Sequence, residues 1–297
     1  MRERFLYTAF GLHISSEIAL PELPVGCADR AADVTIRCES PLSTVCERAE
    51  AHQTASEVQF AWPGVGKFRV SNGVEIFVAP AMGVSDAFLR LPLMGTVFAM
   101  LLHQRGFLVL HASAIKIEEQ AVAFAGPRGR GKSTVCAALY QRGHSLISDD
   151  ILAIDLTDRD AWAIPGLPFF KLWPDAMING LGERPDDYPR MIEGYEKRGR
   201  VITERLVREP VRLRYLYLLE DDADIHIAPL DRSELMMSCV VHSIAARFGS
   251  ALLYGVDQVR HFQLCAKAVG QISGARLLRP RRFERLPELI RMIEGAA

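Results

Sequence analysis

Apolar and polar positions alternate in short runs over the first eighty residues. Phe5–Phe10, Asp33–Arg37, Val58–Ala61, Lys67–Val70 and Val74–Val78 carry β-branched or aromatic residues, with Pro63-Gly64 and Asn72-Gly73 as breaks, so they predict strands. Asn72-Gly73 between two such runs predicts a hairpin. Together these runs predict a small antiparallel sheet in a β-rich N-terminal subdomain spanning 1–84. From Ser85 to Gln104 the period becomes helical. Phe88, Leu91, Met94, Phe98, Leu101 and Leu102 share a face, Ser85 is a fitting N-cap and Gly106 a fitting end. This helix, over 85–105, links the subdomain to a second unit spanning 85–297.

In that second unit short apolar runs recur around one helix. Phe107–His111, Ala114–Ile117, Ala121–Ala125, Ser145–Ser148, Ile151–Asp155 and Trp162–Ile164 predict strands, and Thr134–Arg142 predicts a helix. Arg212–Glu220 and Ile225–Pro229 add two strands. Ser233–Phe248, Val256–Ile272 and Leu286–Ile293 follow as C-terminal helices, the last opened by Pro287. The fold class is therefore α/β, with an N-terminal β-rich subdomain and C-terminal helices. Residues 180–205, rich in Glu, Arg, Asp, Pro and Gly, read as a lid or mobile loop, or as a solvated connection. No internal repeat stands out.

Composition narrows the classes. Of 297 residues 49% are hydrophobic and 24% charged, with a formal net charge of −1, so no global field recruits nucleic acid or an anionic membrane. The six cysteines form no C-x-x-C pair, which argues against a zinc site or a disulfide framework. Cys136 reads as a buried thiol. No apolar signal region follows Met1–Phe5, and Leu91–Leu102 is too short to span a bilayer. A cytoplasmic enzyme with neither nucleic acid nor membrane as partner is the expectation, and a homo-oligomer stays open.

The chemistry concentrates at Gly126, Pro127, Arg128, Gly129, Arg130, Gly131, Lys132 and Ser133, followed by Thr134. The string reads G-x-x-x-x-G-K-S between a predicted strand and a predicted helix, the context a phosphate-binding loop requires. Its backbone N–H groups and the helix N-terminus favour phosphate oxygens. Lys132 is the candidate for the β- and γ-phosphates of ATP, and Ser133 for Mg²⁺. Arg128 and Arg130 contact phosphates or the nucleotide ring, or point to solvent.

Ser145-Leu146-Ile147-Ser148-Asp149-Asp150 is an apolar strand ending in two carboxylates. If it neighbours the loop's strand, both acids reach the γ-phosphate. One, with Asp149 the candidate, then holds Mg²⁺, and the other accepts a proton from a substrate hydroxyl. The alternative is that both cap a turn. His111 closes the run Phe107–Leu110, where a lone histidine is more often structural than catalytic.

Leu110-His111-Ala112-Ser113-Ala114, the loop, and Arg142-Gly143-His144-Ser145-Leu146-Ile147-Ser148-Asp149-Asp150 together resemble the catalytic domain of bacterial HPr kinase/phosphorylase. His111 precedes Lys132 by 21 positions and Asp150 follows it by 18, intervals similar to that family's. The resemblance implies a P-loop kinase core of the HPr kinase C-terminal type. It implies that Asp150 accepts the proton of a protein serine, that His111 lies in the active site and that Ser133 helps bind Mg²⁺. Where the family carries a metal-site Glu in a Glu-Ile-Arg-Gly motif, this chain has Pro165-Gly166-Leu167-Pro168-Phe169-Phe170-Lys171-Leu172-Trp173-Pro174-Asp175. Asp175 either substitutes for that Glu or caps a helix. This run and Tyr7–Leu12 with Leu20–Leu23 look like a divergent branch encoded with lasso-peptide biosynthesis. That likeness implies a serine near the C-terminus of a precursor peptide as acceptor.

Lys171 is a candidate for phosphate or a substrate carboxylate, or a snorkelling surface lysine. Lys197, Arg198 and Arg200 are candidates for capping the γ-phosphate, or a solvated charge run. His242 reads as structural. The leading expectation is an ATP- and Mg²⁺-dependent kinase acting on a serine of a peptide or protein, with Asp150, Asp149, His111 and Lys132 as its catalytic group. A small-molecule hydroxyl kinase and a nucleotide-sensing regulatory module are the alternatives.

Overall fold

The computed structural model describes residues 3–54, 56–246 and 256–296. The N-terminal part is a seven-stranded sheet of β1 (Phe5–Ala9), β2 (Leu12–Ser16), β3 (Val34–Cys38), β4 (Glu50–Gln53), β5 (Glu57–Trp62), β6 (Gly66–Ser71) and β7 (Glu75–Pro80), in the order β1-β2-β3-β7-β6-β5-β4. Asn72 and Gly73 turn β6 into β7 with φ of 51° and 67°, the positive values that a two-residue hairpin needs. The sheet is mixed rather than antiparallel. β3 pairs parallel with both β2 and β7, because a long excursion separates it from the hairpins on either side.

α1 (Asp86–Pro92) and α2 (Phe98–Gln104) are joined by a π turn, Leu93–Val97. Ser85 caps α1 by accepting from the Phe88 N–H. The π turn breaks at Gly95, and its extra residue rotates the apolar face. Hence Leu89, Leu93, Met94 and Val97 to Leu102 are buried, while Phe88 is exposed and Leu91 faces a cleft, against the single face that the spacing predicts. The stretch Asp86–Gln104 is long and apolar enough to cross a membrane, and 56% of its apolar window is buried inside the protein. It packs in one core with Ile14, Ile36, Phe68 and Ile76 from the first sheet and Val109, Ile151, Leu167 and Phe169 from the rest of the chain.

The second sheet has nine strands. They are β8 (Leu108–Leu110), β9 (Ala112–Ile117), β10 (Gln120–Ala125), β11 (Ser145–Ser148), β12 (Leu152–Leu156), β13 (Ala161–Ile164), then β17 (Val211–Asp221), β18 (His226–Pro229) and β19 (Ser273–Arg279), with the path β11-β9-β10-β17-β13-β12-β8 and β19 between β17 and β18. α3 (Lys132–Gln141) follows β10. β11 does not adjoin β10: β9 lies between them, antiparallel to both. Two antiparallel steps restore the direction, so β10 and β11 end at the same edge. β17 and β19, parallel to β10 and to one another, end there too. Polar Ser273 and Arg276 with Gly274 hide β19 from the apolar pattern, and the C-terminal part is therefore helices plus a strand.

β14 (Phe169–Leu172), β15 (Arg190–Ile192) and β16 (Tyr195–Val201) form a third sheet, ordered β14-β16-β15. Residues 190–201, in the second half of the 180–205 stretch, are thus a β-hairpin, and some of the stretch's charges pair with one another, as in Arg200–Glu183 at 3.0 Å. Between β14 and β15 come α4 (Pro174–Ala176), a π turn Met177–Leu181 and a 3₁₀ turn Pro185–Asp187. The helices α5 (Arg232–His242), α6 (Val256–Val269) and α7 (Leu286–Ala296) complete the chain. α5 ends at His242, where Ser243 turns extended and bridges Leu110. Phe248, expected as the end of this helix, lies outside the described residues.

Gly166 donates its N–H to the Ile147 carbonyl at 2.8 Å. A Cβ there falls inside van der Waals distance of Ser148 Oγ and 2.8 Å from Ser148 Cβ, in the strand that carries the two acids. Gly166→Ala is expected to lower stability by about 1–3 kcal/mol through overpacking, read as a lower urea midpoint at unchanged slope.

Candidate active site

The segment Gly126–Ser133 leaves β10 and enters α3 through three glycines at positive φ: Gly126 at 146°, Gly129 at 80° and Gly131 at 81°. Lys132 is buried and donates from Nζ to the Gly126 carbonyl at 2.9 Å and the Pro127 carbonyl at 3.2 Å. The ammonium therefore stands inside the curl of the loop. Cys136 is fully buried one turn on, and burial pushes its thiol well above the usual range.

Asp149 and Asp150 follow β11 at the same edge. The Ile151 N–H closes a three-residue turn onto the Asp149 carbonyl at 2.9 Å, and Asp150 at its centre has a φ of 69°. A non-glycine residue held there carries backbone strain. The turn sends the two carboxylates to different places. Asp149 points beneath the cleft, 3% exposed. Ser113 Oγ of β9 donates to its Oδ1 at 2.6 Å, the Lys171 backbone N–H of β14 to its Oδ2 at 3.2 Å, and the Ser133 hydroxyl also donates to it. Asp150 lines the cleft, and Lys171 Nζ lies 3.5 Å from its Oδ2.

The two acids are driven apart electrostatically. Burial, then the neighbouring Asp150 charge, raises the Asp149 pKa above the usual carboxylate range, against the hydrogen bonds from Ser113, Ser133 and Lys171. Burial also acts upward on Asp150, but Lys171, His111, Lys197 and Lys132 outweigh it and hold its carboxyl down at about 2. A neighbouring positive charge favours the ionised form. His111 meets the Asp150 backbone carbonyl through Nδ1 at 3.1 Å, so Nδ1 carries the proton in that contact. His111 also acts on the Asp150 carboxyl through space.

The structure brings His111, Arg128, Gly129, Gly131, Lys132, Ser133, Thr134 and Asp150 onto one cleft of about 1100 Å³, together with Lys171, Asp175 and Lys197. Arg128 donates to the Tyr195 hydroxyl at 3.0 Å, tying the loop to β16. Arg130 pairs with Asp221. Arg198 and Arg200 do not join the site. Arg198 is buried against the Pro185 and Glu196 carbonyls, and Arg200 forks onto Glu183. Asp175 accepts from the Ala176 N–H at 2.7 Å, in the first turn of α4, while still lining the cleft.

Three residues of the site went unread in the sequence, and His242 was read as structural. Ser113 supports Asp149 from β9. Arg279 and Arg281 donate to the Arg130 and Gly129 carbonyls, the latter at 2.9 Å. His242 accepts the His111 N–H at its carbonyl, 2.7 Å, and burial and the Lys132 charge lower its pKa. Only Ser113, inside the His-Ala-Ser run, left a local signal.

Among the described residues no group of three or more His, Cys, Asp or Glu side chains is placed to hold a metal. The contact between the Ser133 hydroxyl and the Asp149 carboxylate is nonetheless a hard oxygen pair beside the glycine-rich loop. It fits Mg²⁺, which takes one or two protein oxygens and completes its shell with water and phosphate.

No family model matches the chain, and no curated protein matches it. Among solved structures the chain is similar to the HPr(Ser) kinase/phosphatase from Coxiella burnetii, at 15% identity and a TM-score of 0.33, over 63% of this chain and 86% of that one.

Lys171→Met removes the foremost cation beside Asp150 and leaves burial in place. The Asp150 carboxyl pKa is expected to rise from about 2 by at least one unit, read by carboxyl ¹³C NMR titration. An unmoved titration would show that Lys171 does not set it.

Proposed function

We propose that this chain is an ATP-dependent kinase that transfers the γ-phosphoryl group to a serine hydroxyl of a peptide. The observation that supports this is one cleft holding an ionised carboxylate, Asp150, beside the Lys132–Ser133 end of a glycine-rich loop. A nucleotide sensor has no use for an acceptor base in that place.

Gly126–Ser133 would take the triphosphate on its backbone N–H groups, with Lys132 exchanging loop carbonyls for phosphate oxygens. Ser133 and Asp149 would hold Mg²⁺, which when bound neutralises charge on the phosphate oxygens. Asp150 orients the acceptor hydroxyl and takes its proton. A carboxyl pKa near 2 makes it a weak base, which suits a loose transition state where the proton leaves late. Lys171 keeps Asp150 ionised, and Lys197 stands ready at the cleft wall for the transferring group. Trp173, 43% exposed and in edge contact with Tyr195 at 5.5 Å, offers a peptide an aromatic wall that a small hydroxyl compound would not need. The likeness to the lasso-peptide branch adds a precursor peptide, with its serine near the C-terminus, as the acceptor to try first.

Asp150→Asn is expected to keep ATP affinity within about threefold and to lower turnover by about a hundredfold to ten-thousandfold, the usual worth of general-base help. Lys132→Ala is expected to weaken both. The readout is phosphopeptide formation by mass spectrometry beside calorimetric ATP binding. Full turnover by Asp150→Asn would remove the base assignment. Phosphorylation of free serine as fast as of any peptide would favour a small-molecule kinase.

A further inference from the structure

The cleft extends well past the acidic turn, and its far end has a different chemistry. Ile225, Phe283, Leu286 and Leu289 line it there, apolar and partly stacked against the core beneath α3. Three elements deliver them to the mouth of the loop. β19 runs parallel to β10 by way of β17, so Arg279, Pro280 and Arg281 leave it at the edge where the loop begins. Ile225 sits in the turn from β17 into β18. α7 runs beside α3 in the same direction, because Glu294 near its end meets Arg142 and His144 just beyond the end of α3, each at 3.0 Å. Leu286 and Leu289, at its start, are thereby level with the start of α3.

Between this apolar end and the loop stand two arginines whose charge is poorly offset. Arg279 is 8% exposed, and its Nε has no hydrogen-bond partner among the described residues. Its Nη2 donates to the Arg130 carbonyl, and Arg281 donates to Gly129. Burial, then the like charges of Arg281 and Arg130, lower the Arg279 pKa. Asp221 pairs with Arg130, leaving Arg279 and Arg281 without a carboxylate in the described ion pairs. Crowded cations with unused donors are an arrangement that an anion relieves.

We propose that this end of the cleft is the nucleoside subsite. The base lies against Phe283 among Ile225, Leu286 and Leu289, and Arg279 and Arg281 hold the phosphate nearest the sugar. The assignment rests on the nucleotide reading above and adds to it the direction in which the nucleotide lies, with its γ end at Asp150 and its base toward α7. A triphosphate stripped of its nucleoside would use the loop and the arginines but not the apolar end.

Calorimetry with Mg·ATP and with Mg·tripolyphosphate separates the two. The unaltered chain is expected to bind ATP the more tightly. Phe283→Ala is expected to lose about five- to a hundredfold in ATP affinity, the range for removing an aromatic stacking partner from a base, with tripolyphosphate affinity within twofold. Arg281→Gln is expected to weaken both ligands. Equal losses for both ligands in Phe283→Ala, or no loss for either, overturn the subsite. An unaltered chain that binds neither ligand overturns the nucleotide reading itself. Photolabelling of the unaltered chain by 8-azido-ATP needs no variant to fold. Label on Ile225 or between Arg279 and Leu289 supports the assignment, and label confined to β14–β16 overturns it.

Discussion

The Asp149 carboxylate is buried beneath the cleft and accepts hydrogen bonds from three separate parts of the chain: Ser113 on β9, Ser133 at the start of α3 and the Lys171 backbone on β14. Taking a carboxylate out of water is costly unless donors replace the water it loses. Here those donors belong to the central sheet, the glycine-rich loop and the covering sheet. The compensation that makes burial tolerable is therefore the same set of contacts that fixes the three walls of the cleft relative to one another. The single strand between β10 and β11, β9, carries the serine that holds this carboxylate.

The neighbouring acid lives in the opposite field. A strained three-residue turn at Asp149–Ile151 sends adjacent side chains one down and one into the cleft, and their pKa values part in opposite directions. Environments that split a pair of acids divide their labour. Asp149 serves the framework and the loop serine, and Asp150, surrounded by Lys171, His111, Lys197 and Lys132, stays charged where a substrate can reach it. The same concentration of cations continues through Arg279 and Arg281 to the apolar end. One groove thus joins a carboxylate, positive charge and a hydrocarbon surface, the order in which the proposed acceptor, polyphosphate and base would lie.

Most strands were legible because their cause is local. β5, β6 and β7 alternate clearly, and Asn72-Gly73 dictates its own turn. Ser85 caps the helix it precedes. β4 and the opening of β19 were not legible, because their residues are polar or small and they are strands by virtue of their partners, and β2 was missed although Leu12 and Ile14 alternate with polar residues. The helical face of Phe88 and Leu91 was misplaced for a related reason, since one π turn near Gly95 shifts the phase and no periodicity announces it. Of the charged run, Lys197 reaches the cleft while Arg198 and Arg200 turn to Pro185, Glu196 and Glu183. Alternation along β16 divides them, and that strand's pairing with β14 and β15 was hidden within a stretch of loop-like composition.

The sequence by itself determined the glycine-rich loop, the helix behind it and the two acids at a strand end, since each depends on backbone conformations and side chains within a dozen residues. Only the tertiary structure decided which acid faces the cleft, which cations surround it and that β9 stands between the two strands. It also decided that residues from β19 and α7, some 150 positions downstream, close the groove. Those facts depend on strand order and on burial, and both are set by contacts between segments whose separation along the chain carries no local signature.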